Sequence, residues 1–207
     1  MITLDKVWKT YAKETVFSDF SLTIQEGEFV AIIGKSGSGK TTLLNLIGFL
    51  EKPDKGEILI DGQPLKRERE KLLYHRHKVG FLFQNFALIE EKTVLKNLQL
   101  AMSYRKDKEK HLKEIDLALQ EVQLDPEIKY KKVFQLSGGE QQRVALARLL
   151  LKEAKYILAD EPTGNLDAEN RDVVFSILQK LNSHGKTIIL VTHDNTLADR
   201  VMRKILL

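Results

Sequence analysis

The sequence predicts an α/β fold: a nucleotide-binding core, an antiparallel β region wrapped around its start, and an α-helical subdomain inserted between core strands. Three observations carry this. Residues 34–42 (GKSGSGKTT) lie between the apolar run 29–33 (FVAII) and the helix-like run 43–50 (LLNLIGFL). The pattern G-x-x-x-x-G-K-[ST] between a strand and a helix is a phosphate-binding loop. The short apolar runs at 79–83, 156–159 and 187–192 are each followed by polar side chains: Gln84, Asp160-Glu161 and His193-Asp194. Open parallel sheets gather ligand-binding groups at such strand ends. Between these runs, residues 105–124 repeat apolar positions at three and four spacings, the pattern of an amphipathic helix.

In chain order, residues 2–8 (ITLDKVW) and 20–24 (FSLTI) alternate like strands, and Gly27 turns the chain into the strand before the loop. Tyr11 lies in this early region, where an exposed ring could stack on a base or sit half-buried at a strand edge. In the loop, Gly34, Gly37 and Gly39 let the backbone approach a ligand, with Lys35, Ser36 and Ser38 between them. Amides at the helix start then face an anion, and the helix dipole favours negative charge there. Lys40 suits the β- and γ-phosphates, and Thr41, followed by Thr42, carries the hydroxyl that the pattern places on Mg²⁺. Residues 56–60 (GEILI) read as a strand closed by the turn signal Asp61-Gly62.

Residues 66–78 read as a charged helix with a solvated face, on which His75 and His77 diverge and do not suit a metal. On the 105–124 helix, Leu112, Ile115, Leu119 and Val122 form the expected apolar face, and His111 is expected on the solvated side. At 136–151 (LSGGEQQRVALARLLL), Ser137 and Glu140 form a capping box that opens a helix. Gly138 and Gly139 cost helix stability in that first turn, which points to a ligand approaching this second helix N-terminus. Asp160 is suited to hold Mg²⁺ through water, and Glu161 to polarise a water for attack on a γ-phosphate. Residues 163–167 (TGNLD) read as a turn, 168–181 as a helix, and His193 again stands at a strand end.

The 207 residues suit one domain, or one core with a subdomain, and the 43% apolar content supports a sizeable core. With no Cys, disulfides and thiolate–metal sites are excluded. The formal charge of +4, from 33 basic and 29 acidic residues, does not argue for nucleic acid. No apolar run approaches ~20 residues, and the N-terminus lacks the apolar core of a signal peptide. A membrane role therefore calls for another chain to cross the bilayer.

Taken together, GKSGSGKT at 34–41, FQ at 83–84, LSGGEQQRVALAR at 136–148, ILADEPTGNLD at 157–167 and THD at 192–194 resemble the nucleotide-binding subunit of an ATP-binding cassette (ABC) transporter. The resemblance covers nearly the whole length and implies the ABC ATPase fold. One nucleotide-binding domain would span 1–207, with a core at 1–84 and 156–207 and a helical subdomain at 85–155. It implies an ATPase that uses ATP and Mg²⁺. Tyr11 would stack on adenine through its ring rather than its hydroxyl. Gln84 would contact Mg²⁺ or the attacking water and sense the membrane subunit. Asp167 would lie at the dimer interface, and His193 would touch the γ-phosphate.

The resemblance further implies a head-to-tail homodimer in which Ser137, Gly138 and Gly139 act on the partner's ATP. An integral membrane permease would hold the dimer at the cytoplasmic side of the membrane, without insertion of this chain and without nucleic acid. GFLFQNFALI at 80–89 and EPTGNLD at 161–167 are similar to the macrolide-export, lipoprotein-release and antimicrobial-peptide-export group. This implies a peptide, lipid-linked or hydrophobic cargo. Two departures stand out: Val133-Phe134 where many relatives have a Pro, and an end at Leu207 where relatives add a hairpin or helix, which leaves no room for a regulatory C-terminal domain. Two rival readings are weaker. Ribosome-acting relatives usually carry two cassettes and DNA-repair relatives long coiled coils. A non-catalytic module would not need Lys40, Asp160, Glu161 and His193 together.

Overall fold

Strand alternation resolves into two sheets. The computed structural model describes residues 1–12, 14–105, 108–164 and 166–207. β1 (Ile2–Tyr11), β2 (Glu14–Ile24), β4 (Lys55–Ile60) and β5 (Gln63–Pro64) form an antiparallel sheet in the order β2-β1-β4-β5. Ile2, Leu4 and Val7 point inward, so the inward face skips from even to odd positions. The cause is a register break between Leu4 and Val7, where Lys6 takes φ 48°. β1 consequently runs on to Tyr11, beyond the expected 2–8.

β3 (Phe29–Ile33), β6 (Val79–Leu82), β7 (Tyr156–Asp160), β8 (Thr187–Val191) and β9 (Arg203–Leu206) form a parallel sheet in the order β6-β7-β8-β3-β9. Its central strands are apolar on both faces, as buried parallel strands must be. Ile157, Ala159, Ile188 and Leu190 join a core shared with α3 (Val94–Ala101), α4 (Lys108–Glu121), α5 (Gly138–Lys152) and α6 (Ala168–Ser183). Leu158, Ile189 and Val191 face the other core, with the antiparallel sheet and α1 (Lys40–Ile47).

Several boundaries and faces differ from expectation. α1 begins at Lys40 and is capped by Gly48, leaving Leu50 exposed. α2 (Glu68–His77) is not merely solvated, because Tyr74 is fully buried. The amphipathic face of α4 is His111, Ile115, Ala118, Leu119 and Val122. Leu112 is exposed and His111 is buried, the reverse of the expectation, because Ala118 joins the stripe and turns it toward residue 111. Residues 106 and 107 of the expected 105–124 helix, and Asn165 of the 163–167 turn, lie outside the described residues. The short α7 (Asn195–Ala198), α3, β9 and two 3₁₀ turns at Pro126–Tyr130 and Val133–Gln135 had no clear sequence signal.

Candidate functional site

The parallel register lines up four strand ends. Ile32 of β3 pairs with Val191 of β8, Val191 with Asp160 of β7, and Ala159 of β7 with Leu82 of β6. The loop at 34–39, then His193, Asp160-Glu161 and Gln84 therefore emerge along one rim of the sheet. A cavity of about 440 Å³ opens there, and its walls include Tyr11, Ser36, Gly37, Gly39, Lys40, Thr41, Thr42, Gln84, Asp160 and Glu161. Glu14 and Val16 of β2 also line it, and no motif announced them.

The loop fits an anion. Gly39 takes φ 93° as it enters α1, and a Cβ there would stand 2.4 Å from Val16 Cγ1, so a glycine is required. α1 has no side-chain cap and no acidic residue in its first turn, which leaves its N-terminal amides available to a ligand. Ser38 Oγ is buried without a hydrogen-bond partner among the described residues. Lys40 Nζ donates to the carbonyls of Gly34 (3.0 Å) and Lys35 (2.8 Å), so its ammonium rests on the loop it serves.

The carboxylates fit a hard cation. Burial raises the Asp160 carboxyl above its usual range; a hydrogen bond from Thr41 opposes this, Glu161 adds to it, and Lys40 opposes it. A half-buried carboxylate beside a hydroxyl is an oxygen donor pair short of positive charge. Among the described residues no group of three or more His, Cys, Asp or Glu side chains forms a metal cage. Mg²⁺ needs none, since it keeps several waters and takes one or two carboxylates plus substrate phosphates. Glu161 sits at φ 45°, an uncommon conformation for a non-glycine residue, and its Oε2 is 2.8 Å from His193 Nδ1. His193 is otherwise exposed.

Other expected residues lie apart. Ser137, Gly138, Gly139 and Asp167 do not line the cavity. The capping box forms as expected: Glu140 N donates to Ser137 Oγ (3.3 Å) and Ser137 N to Glu140 Oε2 (2.8 Å). Asp167 caps α6 and accepts from Asn170 N (2.8 Å). Asn170 also receives a hydrogen bond from Arg143 and stands where a Gly139 side chain would go, 3.2 Å from the Cβ position. Sequence reasoning missed Asn170 and Arg143. It missed Arg148 too, whose guanidinium donates to the carbonyls of Phe86 (2.8 Å) and Ala87 just after Gln84.

The sequence model of the family described as "ABC transporter" matches residues 17–164. A "Macrolide export ATP-binding/permease protein MacB" of Campylobacter jejuni is 42% identical over 210 residues, covering 99% of this chain and 32% of that protein. A "Methionine import ATP-binding protein MetN" of Legionella pneumophila is likewise 42% identical over 210 residues, covering 99% of this chain and 61% of that protein. The solved "dimeric structure of a post-hydrolysis state of the ATP-binding cassette MJ0796 bound to ADP and Pi", a Methanocaldococcus jannaschii protein, superposes with a TM-score of 0.91 at 41% identity. It covers 100% of this chain and 94% of that one. With the loop, the strand-end carboxylates and the capped glycine helix in one ABC ATPase fold, the chain belongs to the ABC transporter family as an ATP-binding subunit, an ATPase that works on ATP with Mg²⁺.

Proposed function

We propose that two copies of this chain close head to tail around two ATP molecules and drive a separate membrane-spanning permease from its cytoplasmic side. The observation that carries the reading is a separation. Ser137–Gly139 form a helix N-terminus suited to an anion, yet stand outside the cavity that holds the chain's own phosphate loop. A second copy would bring the two together, and the MJ0796 cassette is described as dimeric. The division into a core at 1–84 and 156–207 with a helical subdomain at 85–155 belongs to the same reading.

Within each site, Lys40 exchanges the Gly34 and Lys35 carbonyls for phosphate oxygens, and the amides at 34–39 and at the start of α1 hold the remaining charge. Thr41 and Asp160 would hold Mg²⁺, with Gln84 beside them, and a bound ion would supply neutralisation of phosphate charge and Lewis acidity. Glu161 orients a water and accepts its proton as the oxygen attacks the γ-phosphorus and the β–γ bridging bond breaks. His193 holds the Glu161 carboxylate in place. Tyr11 supplies a ring for adenine, and Asp167 fixes the start of α6 at the dimer face.

The permease has a fitting surface. Between α2, α3 and α5 lies a groove lined by Leu72, Phe83, Leu100, Tyr104, Arg148 and Lys152. Leu72, Leu100 and Tyr104 are exposed apolar side chains, and burial lowers the Lys152 amine, with Arg148 adding to the effect. Lys152 has no anionic partner among the described residues. An apolar segment with a carboxylate suits this groove, which adjoins Gln84 through Phe83. Similarity to MacB and the 80–89 and 161–167 segments support export of a peptide, lipid-linked or hydrophobic cargo; equal similarity to MetN makes direction the finest part of the proposal.

Mixing two inactive variants tests the composite site. Lys40→Ala and Ser137→Arg should each be inactive, and mixed dimers should regain hydrolysis, because one site then joins an intact loop to an intact helix. If turnover needs both sites, that one site should still trap ATP when Glu161→Gln is added to both chains. Crosslinked mixed dimers showing neither would overturn the arrangement.

A further inference from the structure

The base end of the cavity is built by residues that no motif contains. Tyr11 ends β1 and is 41% exposed, beside Ala12 at φ 51°. A ring at such a ragged strand end is free to turn unless it is held. Here it is held at one end and on one face. Its hydroxyl donates to Glu51 Oε2. Glu51 follows α1, and its Oε1 accepts from Asn45 Nδ2 of that helix at 2.9 Å. Lys9 Nζ stands 3.2 Å from Glu51 Oε2, donates to the Lys52 carbonyl at 3.0 Å, and lies 4.9 Å over the centroid of the Tyr11 ring. Tyr11 lines the cavity and Lys9 does not.

We propose that Glu51, braced by Asn45 and Lys9, is a positioning residue for purine binding: it fixes the Tyr11 ring at its hydroxyl, with Lys9 behind, so that one face is preorganised for a base. The proposal rests on the reading of Tyr11 as the base-stacking ring. It departs from the expectation that only the ring matters, by taking the hydroxyl as the handle by which the ring is held. It also ties the two ends of the ligand together. Asn45 lies in the helix whose N-terminus binds phosphate, so the base platform and the phosphate cradle are anchored on one rigid element. A stacking partner already in position spares the ligand the cost of ordering it.

Calorimetric binding of MgADP, which has the base, and of inorganic tripolyphosphate, which lacks it, tests this. Tyr11→Phe and Glu51→Ala should each weaken MgADP about fivefold, the scale of one partly exposed charge-assisted hydrogen bond. The double variant should be no weaker than either single one, because both remove the same interaction. Tripolyphosphate should bind within about twofold of wild type, and Glu51→Gln, whose amide oxygen still accepts, should recover most of the loss. In turnover, KM for ATP should rise with kcat retained. Tyr11→Phe binding MgADP as tightly as wild type, or Glu51→Ala weakening tripolyphosphate as much as MgADP, overturns the role of Glu51. Tyr11→Ala separates that failure from failure of the stacking reading: if it too leaves MgADP affinity unchanged, the base does not stack on Tyr11 at all.

Discussion

Gly138→Ala should stabilise the isolated chain while weakening the assembly. Gly138 opens α5, its φ lies outside the left-handed region, and, its chain neighbours and the adjoining helix backbone aside, no atom of the described residues comes within 4 Å of an added Cβ. Alanine therefore fits without strain, and it restricts the unfolded chain by about 0.4–1 kcal/mol relative to glycine. At about 2.1 cal/mol/K per residue, 207 residues give an unfolding entropy near 0.43 kcal/mol/K, so Tm should rise by about 1–2 °C. In the proposed head-to-tail dimer the partner's ATP would fill the space beyond Gly138. A methyl group forced into a packed contact costs about 1–3 kcal/mol, or about 5- to 150-fold in the closure equilibrium. The assay pairs thermal unfolding without nucleotide with ATP-driven dimerisation in a Glu161→Gln background, followed by light scattering. A variant that melts higher yet dimerises at the wild-type ATP concentration would show that nothing approaches Gly138. A lower Tm would refute the packing argument itself. Gly139→Ala is the contrast, because Asn170 Oδ1 and Cγ stand 3.2 and 3.3 Å from its Cβ position and must move.

Glu161→Gln alone should keep ATP binding and lose about 10²–10⁴-fold in turnover, measured by phosphate release; near-normal turnover would remove Glu161 from its role. Asp61 accepts from Met1 N (3.1 Å), Lys78 Nζ (2.9 Å), Lys155 Nζ (2.9 Å) and Tyr156 Oη (2.5 Å). Burial acts to raise its carboxyl, but Lys78, Tyr156, Lys155 and the N-terminal ammonium together hold it well below the usual range. A depressed folded value stabilises above the unfolded value, near 4, and that stability drains away as pH falls below it. Asp61→Asn should thus lower stability by about 2 kcal/mol at pH 7, or about 5 °C in Tm, with the gap holding above about pH 5 and narrowing steadily as pH falls below about 4 in denaturant titrations. A gap independent of pH would mean the carboxylate's charge is not what matters.

What the sequence made legible was local. The loop at 34–42, the Ser137–Glu140 box and the strand-end Gln84, Asp160, Glu161 and His193 each depend on neighbours within a few positions, and the structure forms the loop, the box and the strand ends. What stayed hidden depends on distant partners. The Tyr11 hydroxyl meets Glu51 forty positions away, which no periodicity encodes. The bulge at Lys6 changed the phase of β1, and a single Ala118 turned the face of α4 enough to bury His111 and expose Leu112.

The same limit hid the reach of α5, whose N-terminus the sequence marked for a ligand but whose contacts with distant loops it did not show. Its buried Gln142 Nε2 donates to the Pro162 carbonyl at 2.6 Å, one residue beyond Glu161. Its Arg143 reaches Asn170, and through it the Asp167 cap. Its Arg148 clasps the carbonyls of Phe86 and Ala87, both at positive φ (61° and 46°), in the turn after Gln84. Two adjacent non-glycine residues in that region cost free energy, and the guanidinium supplies the donors that hold them there. One helix thus touches the loops that carry Glu161, Asp167 and Gln84, while its own N-terminus lies outside the cavity of the phosphate loop. In the proposed head-to-tail dimer, a rigid helix in that position would pass a displacement at Ser137 to all three loops together, and would so link a site completed by one copy to chemistry performed in the other.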